Sequence, residues 1–206
     1  MYRAQQQRFS PKRESVVNRG QATRLAASSP QRAFELARTI PDGWYRCQAM
    51  SEIARVAADP LSERAFKEAR AAAAAGDDDY QRAAVLAFAI TAALARGRVG
   101  LAQNMLADAL ALIPSVEPVA SRAYALHLLW RACFTAGQSF REPIWQATLA
   151  HVHPDRSWRA ARLFREIARM QHEATGPAGR ARVIAAMPDG KARRKIERDA
   201  TASLRR

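Results

Sequence analysis

The chain has 206 residues, 33 of them Lys or Arg against 19 Asp or Glu, giving a formal charge of +14 and a pI near 11.1. Alanine occurs 46 times while Gly is 9, Pro 10 and aromatic residues 7%, a balance that favours helices and excludes a β-sandwich. Two cysteines, Cys47 and Cys133, cannot build a disulfide framework, and a hydrophobic fraction of 49% is too high for a wholly disordered chain.

Residues 1–29 are rich in Gln, Arg and Ser, with Glu14 the one acid, and read as a basic, flexible N-terminal arm with a short helix around 15–27. They lack the apolar stretch of a secretory signal, so a cytoplasmic location is expected, with organelle import or export as an effector as the alternatives. Residues 30–206 read as a single domain built on a repeat. Segments Pro41-Asp-Gly-Trp-Tyr-Arg-Cys-Gln-Ala-Met50, Asp77-Asp-Asp-Tyr-Gln-Arg-Ala-Ala-Val-Leu86, Glu117-Pro-Val-Ala-Ser-Arg-Ala-Tyr-Ala-Leu126 and Pro154-Asp-Arg-Ser-Trp-Arg-Ala-Ala-Arg-Leu163 align, and a weaker copy starts at Pro188. Their shared arginines, Arg46, Arg82, Arg122, Arg159 and Arg193, are 36, 40, 37 and 34 residues apart, the range of helical-hairpin repeats.

Each copy opens a helix. Asp42, Asp78, Asp155 and Asp189 stand four residues before the arginine as N-caps, and Pro118 fills the same first turn in the third copy. Apolar residues then recur at helical spacing, as in Met50, Ile53, Ala54 and Ala57, or Ala160, Leu163, Phe164 and Ile167. These second helices of each hairpin (B) are predicted at about 43–58, 79–96, 119–136, 156–174 and 190–204. Between them, Ser29-Pro30, Asp59-Pro60 and Thr175-Gly-Pro177 start first helices (A), and Gly97, Gly137 and Gly176 act as stops. The A helices are predicted at about 30–40, 60–75, 99–113, 141–152 and 177–187.

The phrases Ala37-Arg-Thr-Ile-Pro-Asp-Gly-Trp-Tyr-Arg-Cys-Gln-Ala-Met-Ser-Glu-Ile-Ala54 and Ala150-His-Val-His-Pro-Asp-Arg-Ser-Trp-Arg-Ala-Ala-Arg-Leu-Phe-Arg-Glu-Ile-Ala168 resemble bacterial TPR-like and HEAT-like repeats. The resemblance covers about 30–200 and implies an all-α fold, a right-handed stack of about five αα-hairpins forming an α-solenoid. It implies a scaffold that binds proteins or peptides, with nucleic acid as the ligand of some members, and it carries no catalytic residue over. Certain HEAT-like proteins are DNA glycosylases, which makes an enzyme the third reading after a protein-binding adaptor and an electrostatic DNA- or RNA-binding protein.

The charge is not spread evenly. Residues 1–30 carry 6 basic and 1 acidic side chain, 31–139 carry 12 and 11, and 140–206 carry 15 and 7. A G- and C-rich coding sequence, which raises Ala and Arg together, is the alternative source of this excess, since 29 of the 33 basic residues are Arg. On the fourth B helix, Trp158, Arg162, Arg165 and Arg169 share the side opposite Ala160, Leu163, Phe164 and Ile167. That stripe, extended by Arg193, Arg194 and Lys195, is the candidate macromolecule-binding surface: guanidinium groups pair with phosphates or carboxylates, and an indole stacks. A solvated charged face is its alternative.

The second and third B helices are apolar nearly all round and are expected to be enclosed. Tyr124, His127 and Trp130 are the candidate groove anchors there, burial between neighbouring hairpins being the alternative. His151, His153, His172 and Asp155 lack the i, i+4 match of a metal pair, and Asp77, Asp78 and Asp79 lack the spaced oxygens of a calcium loop, so no metal and no cofactor are expected. Cys47 and Cys133 read as small buried hydrophobes. The longest apolar stretch, Ala83–Ala95, is broken by Thr91 and bounded by Arg82 and Arg96, short of a bilayer span.

Overall fold

The computed structural model describes residues 11–203. Eleven α-helices follow one another with no strand among the described residues: α1 (Pro11–Leu25), α2 (Pro30–Arg38), α3 (Gly43–Val56), α4 (Leu61–Ala74), α5 (Asp79–Ala95), α6 (Val99–Leu112), α7 (Val119–Cys133), α8 (Gln138–His151), α9 (Trp158–Thr175), α10 (Pro177–Ala186) and α11 (Lys191–Ser203). The five predicted A helices are α2, α4, α6, α8 and α10, and the five B helices are α3, α5, α7, α9 and α11. Contacts gather the chain into two compact units, one of residues 11–77 with 88–105 and the other of 78–87 with 106–203. Both α5 and α6 contribute turns to each.

In the first unit, α1 packs on α2 and α3, and α3 packs along α4. The expected arm, 1–29, is therefore helical from Pro11 to Leu25, and Ser15, Ala22 and Ala26 are buried at seven- and four-residue intervals, whole turns that make one face. Residues 1–10 lie outside the described part. The core pattern read from the sequence is present: Met50, Ile53, Ala54 and Ala57 are buried with Phe34, Ile40 and Phe66. At the other end of α3, Ala57 offers its carbonyl oxygen to the Arg96 guanidinium at 2.9 Å, and Asp59 pairs with Arg98 at 2.7 Å.

In the second unit, α7 packs on α8 and α9, and α9 packs on α10. Its core holds Leu126, Leu129, Trp130, Phe140, Ile144, Leu163, Phe164 and Ile167. Gly97, Gly137 and Gly176, the expected stops, have φ of 68°, 99° and 71°, which L side chains adopt only with strain. Gly137 and Gly176 each also stand as the residue opening the next helix.

The repeat arginine has a structural task. Arg46 donates to the Ile40 carbonyl at 3.1 Å, Arg122 to the Val116 carbonyl at 3.0 Å, and Arg193 to the Met187 carbonyl at 3.2 Å. In each case a guanidinium near the start of one helix reaches six residues back and satisfies a carbonyl left free where the previous helical segment ends. Arg122 goes further, also reaching Pro114, the Glu117 carboxylate and the His151 carbonyl. Arg82 pairs with Asp79.

Two of the four expected aspartate caps hold and two do not. Asp42 accepts from the amides of Trp44 and Tyr45, and Asp78 from that of Gln81. The fourth copy differs because Pro154–Arg156 forms a separate 3-10 turn, so Ser157 caps α9 by accepting from the Ala160 amide at 3.0 Å. Asp155 is released to cap α11, and Asp189 pairs with Arg193 instead of capping.

Candidate macromolecule-binding surface

The shift of the α9 cap by two residues changes where its arginine lands. Arg159 stands two residues after its cap, Ser157, whereas Arg46 stands four after Asp42. Arg159 makes no turn clasp among the described residues. Its guanidinium carbon sits 5.4 Å from the centre of the Trp158 ring and 5.6 Å from that of Tyr124. A cation over two π-faces is attracted by both quadrupoles, which favours this arrangement of the three side chains.

The row continues beyond Tyr124. Its ring stacks on Tyr80 at 6.4 Å and 30°, and lies nearly parallel to His127 at 6.0 Å and 10°. Tyr80 comes from the first turn of α5, Tyr124 from α7 and Trp158 from α9, so three successive B helices each place an aromatic residue in one row. Trp158 is 66% exposed and Tyr124 38%, which leaves an aromatic edge in contact with solvent. Tyr80 and Arg159 are members of this site that the sequence reading did not single out; the aromatic residue recurring within two positions of Arg46, Arg82, Arg122 and Arg159 was the signal available.

The basic stripe is weaker than its spacing implies. Arg162 and Arg165 are exposed and make no ion pair among the described residues. Arg169 is held by Glu166 and Glu173 on its own helix, and hydrogen bonding to Glu173, followed by Glu166, raises its pKa further. Arg193 is engaged by Asp189, Glu197 and the Met187 carbonyl, so it belongs to the fold more than to the surface. Arg194 and Lys195 are exposed. The clear positive charge beside Trp158 thus comes from Arg159, Arg162 and Arg165.

The three groove anchors separate. Trp130 is 1% exposed and forms part of the core, with its indole Nε1 lacking a hydrogen-bond partner, and His127 is 5% exposed. Burial holds the His127 imidazole below its usual pKa, so it is neutral at pH 7. Tyr124 alone of the three reaches the surface. The physical reason is phase: Leu126, Leu129 and Trp130 point to the α7 core, and Tyr124 falls on the opposite edge.

No family model matches the chain, and neither a curated protein nor a solved structure matches it. No group of three or more His, Cys, Asp or Glu side chains able to hold a metal occurs among the described residues, and His153 uses its Nδ1 to accept from the Asp155 amide. Among the described residues no helix is long and apolar enough to cross a membrane.

Proposed function

We propose that this chain is a non-catalytic helical-repeat scaffold of the α-solenoid type, TPR- or HEAT-like, that binds another protein through the Tyr80, Tyr124, Arg159 and Trp158 row. The observation that carries the proposal is Trp158: a large indole, two-thirds exposed, yet braced by Arg159 against Tyr124. Trp, Tyr and Arg dominate the energetic centres of protein interfaces, and a side chain already held in place loses little entropy on binding. With Arg162 and Arg165 alongside, the surface suits an acidic segment bearing an apolar anchor.

Panning a random-peptide library against the full chain tests this. Enrichment of acidic peptides with an aromatic or aliphatic anchor, bound at least about tenfold more weakly by Trp158→Ala, is the expected result. Binders indifferent to Trp158→Ala and Arg162→Ala would overturn it.

Exposed Arg162, Arg165, Arg194 and Lys195 favour a second reading, electrostatic binding of DNA or RNA. That reading requires affinity to fall steeply with salt and to weaken when Arg162 and Arg165 are both changed to Ala. It fails if no binding occurs at low salt.

A further inference from the structure

A second basic site lies in the same unit and does not depend on the aromatic row. A pocket of about 110 Å³ opens among α8, α9 and α10, lined by Gln138, Arg141, Glu142 and Trp145 of α8, Gln171 of α9 and Arg182 of α10. That space accommodates a small anion with its waters.

Its chemistry is unbalanced. Arg141 turns one face of its guanidinium to Phe134, 5.3 Å from the ring centre, and its Nε is wholly buried with no hydrogen-bond partner. The obvious acceptor, Glu142, is already engaged: one carboxylate oxygen accepts from Gln138 at 2.8 Å and the other from Gln146 at 2.6 Å. Arg182 makes no ion pair among the described residues. Two guanidinium groups therefore line one small space, and the Glu142 carboxylate that shares the lining is ion-paired to neither, which leaves the lining with a net positive charge. A guanidinium without a committed acceptor presents a fork of N–H donors, and an oxyanion is the acceptor whose geometry that fork fits.

We infer that this pocket binds a small oxyanion group, phosphate or carboxylate, between Arg141 and Arg182, with the Gln171 side chain at its rim. Phe134 holds the Arg141 plane from behind and Trp145 forms an apolar wall, which lowers the local dielectric and strengthens the pairing. The two arginines reach the site from different helices, so an anion there ties α8 to α10.

Calorimetric titration of the full chain with inorganic phosphate, sulfate and acetate, each at constant ionic strength set with sodium chloride, tests the inference. Saturable binding of at least one anion is expected, with affinity about tenfold lower in Arg182→Gln and in Arg141→Gln and unchanged in the Arg162→Gln, Arg165→Gln double variant. Preference for phosphate and sulfate assigns a tetrahedral group; preference for acetate assigns a carboxylate. Arg182 is exposed, so its variant remains informative should Arg141→Gln fail to fold. A response that never saturates, or one abolished by the Arg162 and Arg165 changes and not by Arg182→Gln, would overturn it while leaving the protein-binding proposal untouched.

Discussion

The Asp155 carboxylate caps a helix that begins far along the chain: one oxygen accepts from the Lys191 amide at 2.8 Å, the first residue of α11, and the other accepts from Ala192 at 2.9 Å. The separation of 36 residues between Asp155 and Lys191 makes this a tertiary bond, in which a side chain from the turn before α9 supplies the negative charge that the α11 N-terminus favours. These two amide bonds, from Ala192 first and Lys191 second, lower the Asp155 pKa below its usual 3.8.

A group with a depressed folded pKa contributes stability above its unfolded value and loses it as pH falls through the folded one. The Lys191 and Ala192 amide resonances are therefore expected to move together as pH drops below 3.8, and α11 to loosen with them. In Asp155→Asn this titration disappears, and both amides exchange faster at neutral pH. Unchanged exchange at both amides would argue that the cap is not formed in solution.

Arg122 is mostly buried and serves three carbonyls and one carboxylate, whereas Arg46 has one carbonyl bond of the same type. Arg122→Ala should lower stability by about 2–3 kcal/mol and Arg46→Ala by about 1 kcal/mol, read from urea midpoints. Equal losses would mean that the extra bonds of Arg122 contribute little.

The two tryptophans that the sequence singled out, Trp130 and Trp158, should behave in opposite ways. Trp130→Ala empties a fully buried site and is expected to cost about 3–5 kcal/mol. Trp158→Ala is expected to change stability by no more than about 0.5 kcal/mol and to act on binding alone. Thermal unfolding of both variants beside the peptide-binding measurement separates fold from function.

Glycines on two helices give substitutions of opposite sign. A Cβ on Gly43 would stand 2.6 Å from the Ala72 carbonyl oxygen, a backbone atom that cannot step aside, so Gly43→Ala should destabilise by about 1–3 kcal/mol. Gly100, near the start of α6, has nothing within 4 Å, and Gly100→Ala should stabilise by about 0.5 kcal/mol. Differential scanning calorimetry reads both.

Burial pushes the thiols of Cys47 and Cys133 up to about 12. Thiolate is the reactive form, so neither is expected to react with Ellman's reagent at pH 8 in the native state, and both should react on unfolding. Fast native labelling of either would show that its helix opens.

Much of this molecule was legible from local chemistry. Ala richness, apolar residues at helical intervals and Pro and Gly at the boundaries located ten of the helices to within a few residues, because helix start and stop signals act over three or four residues. The positive-φ positions Gly97, Gly137 and Gly176 were readable for the same reason. On α9 the buried face followed from 3.6-residue periodicity, and with it the exposure of Trp158.

What the tertiary structure decided was the use of each side chain once helices met. Asp155 has the spacing of a local cap, but a nearby 3-10 turn and the arrival of α11 redirect it. The repeat arginines look like surface charge, yet Arg46, Arg122 and Arg193 bind carbonyls six residues back, while Arg159 stands between Tyr124 and Trp158. The same +14 formal charge is thereby divided into arginines consumed by the fold and a few left to face solvent. Sequence spacing specifies which residues share a helix face; which acceptor a long guanidinium finds depends on what another helix brings within hydrogen-bond reach, and that is a property of packing alone.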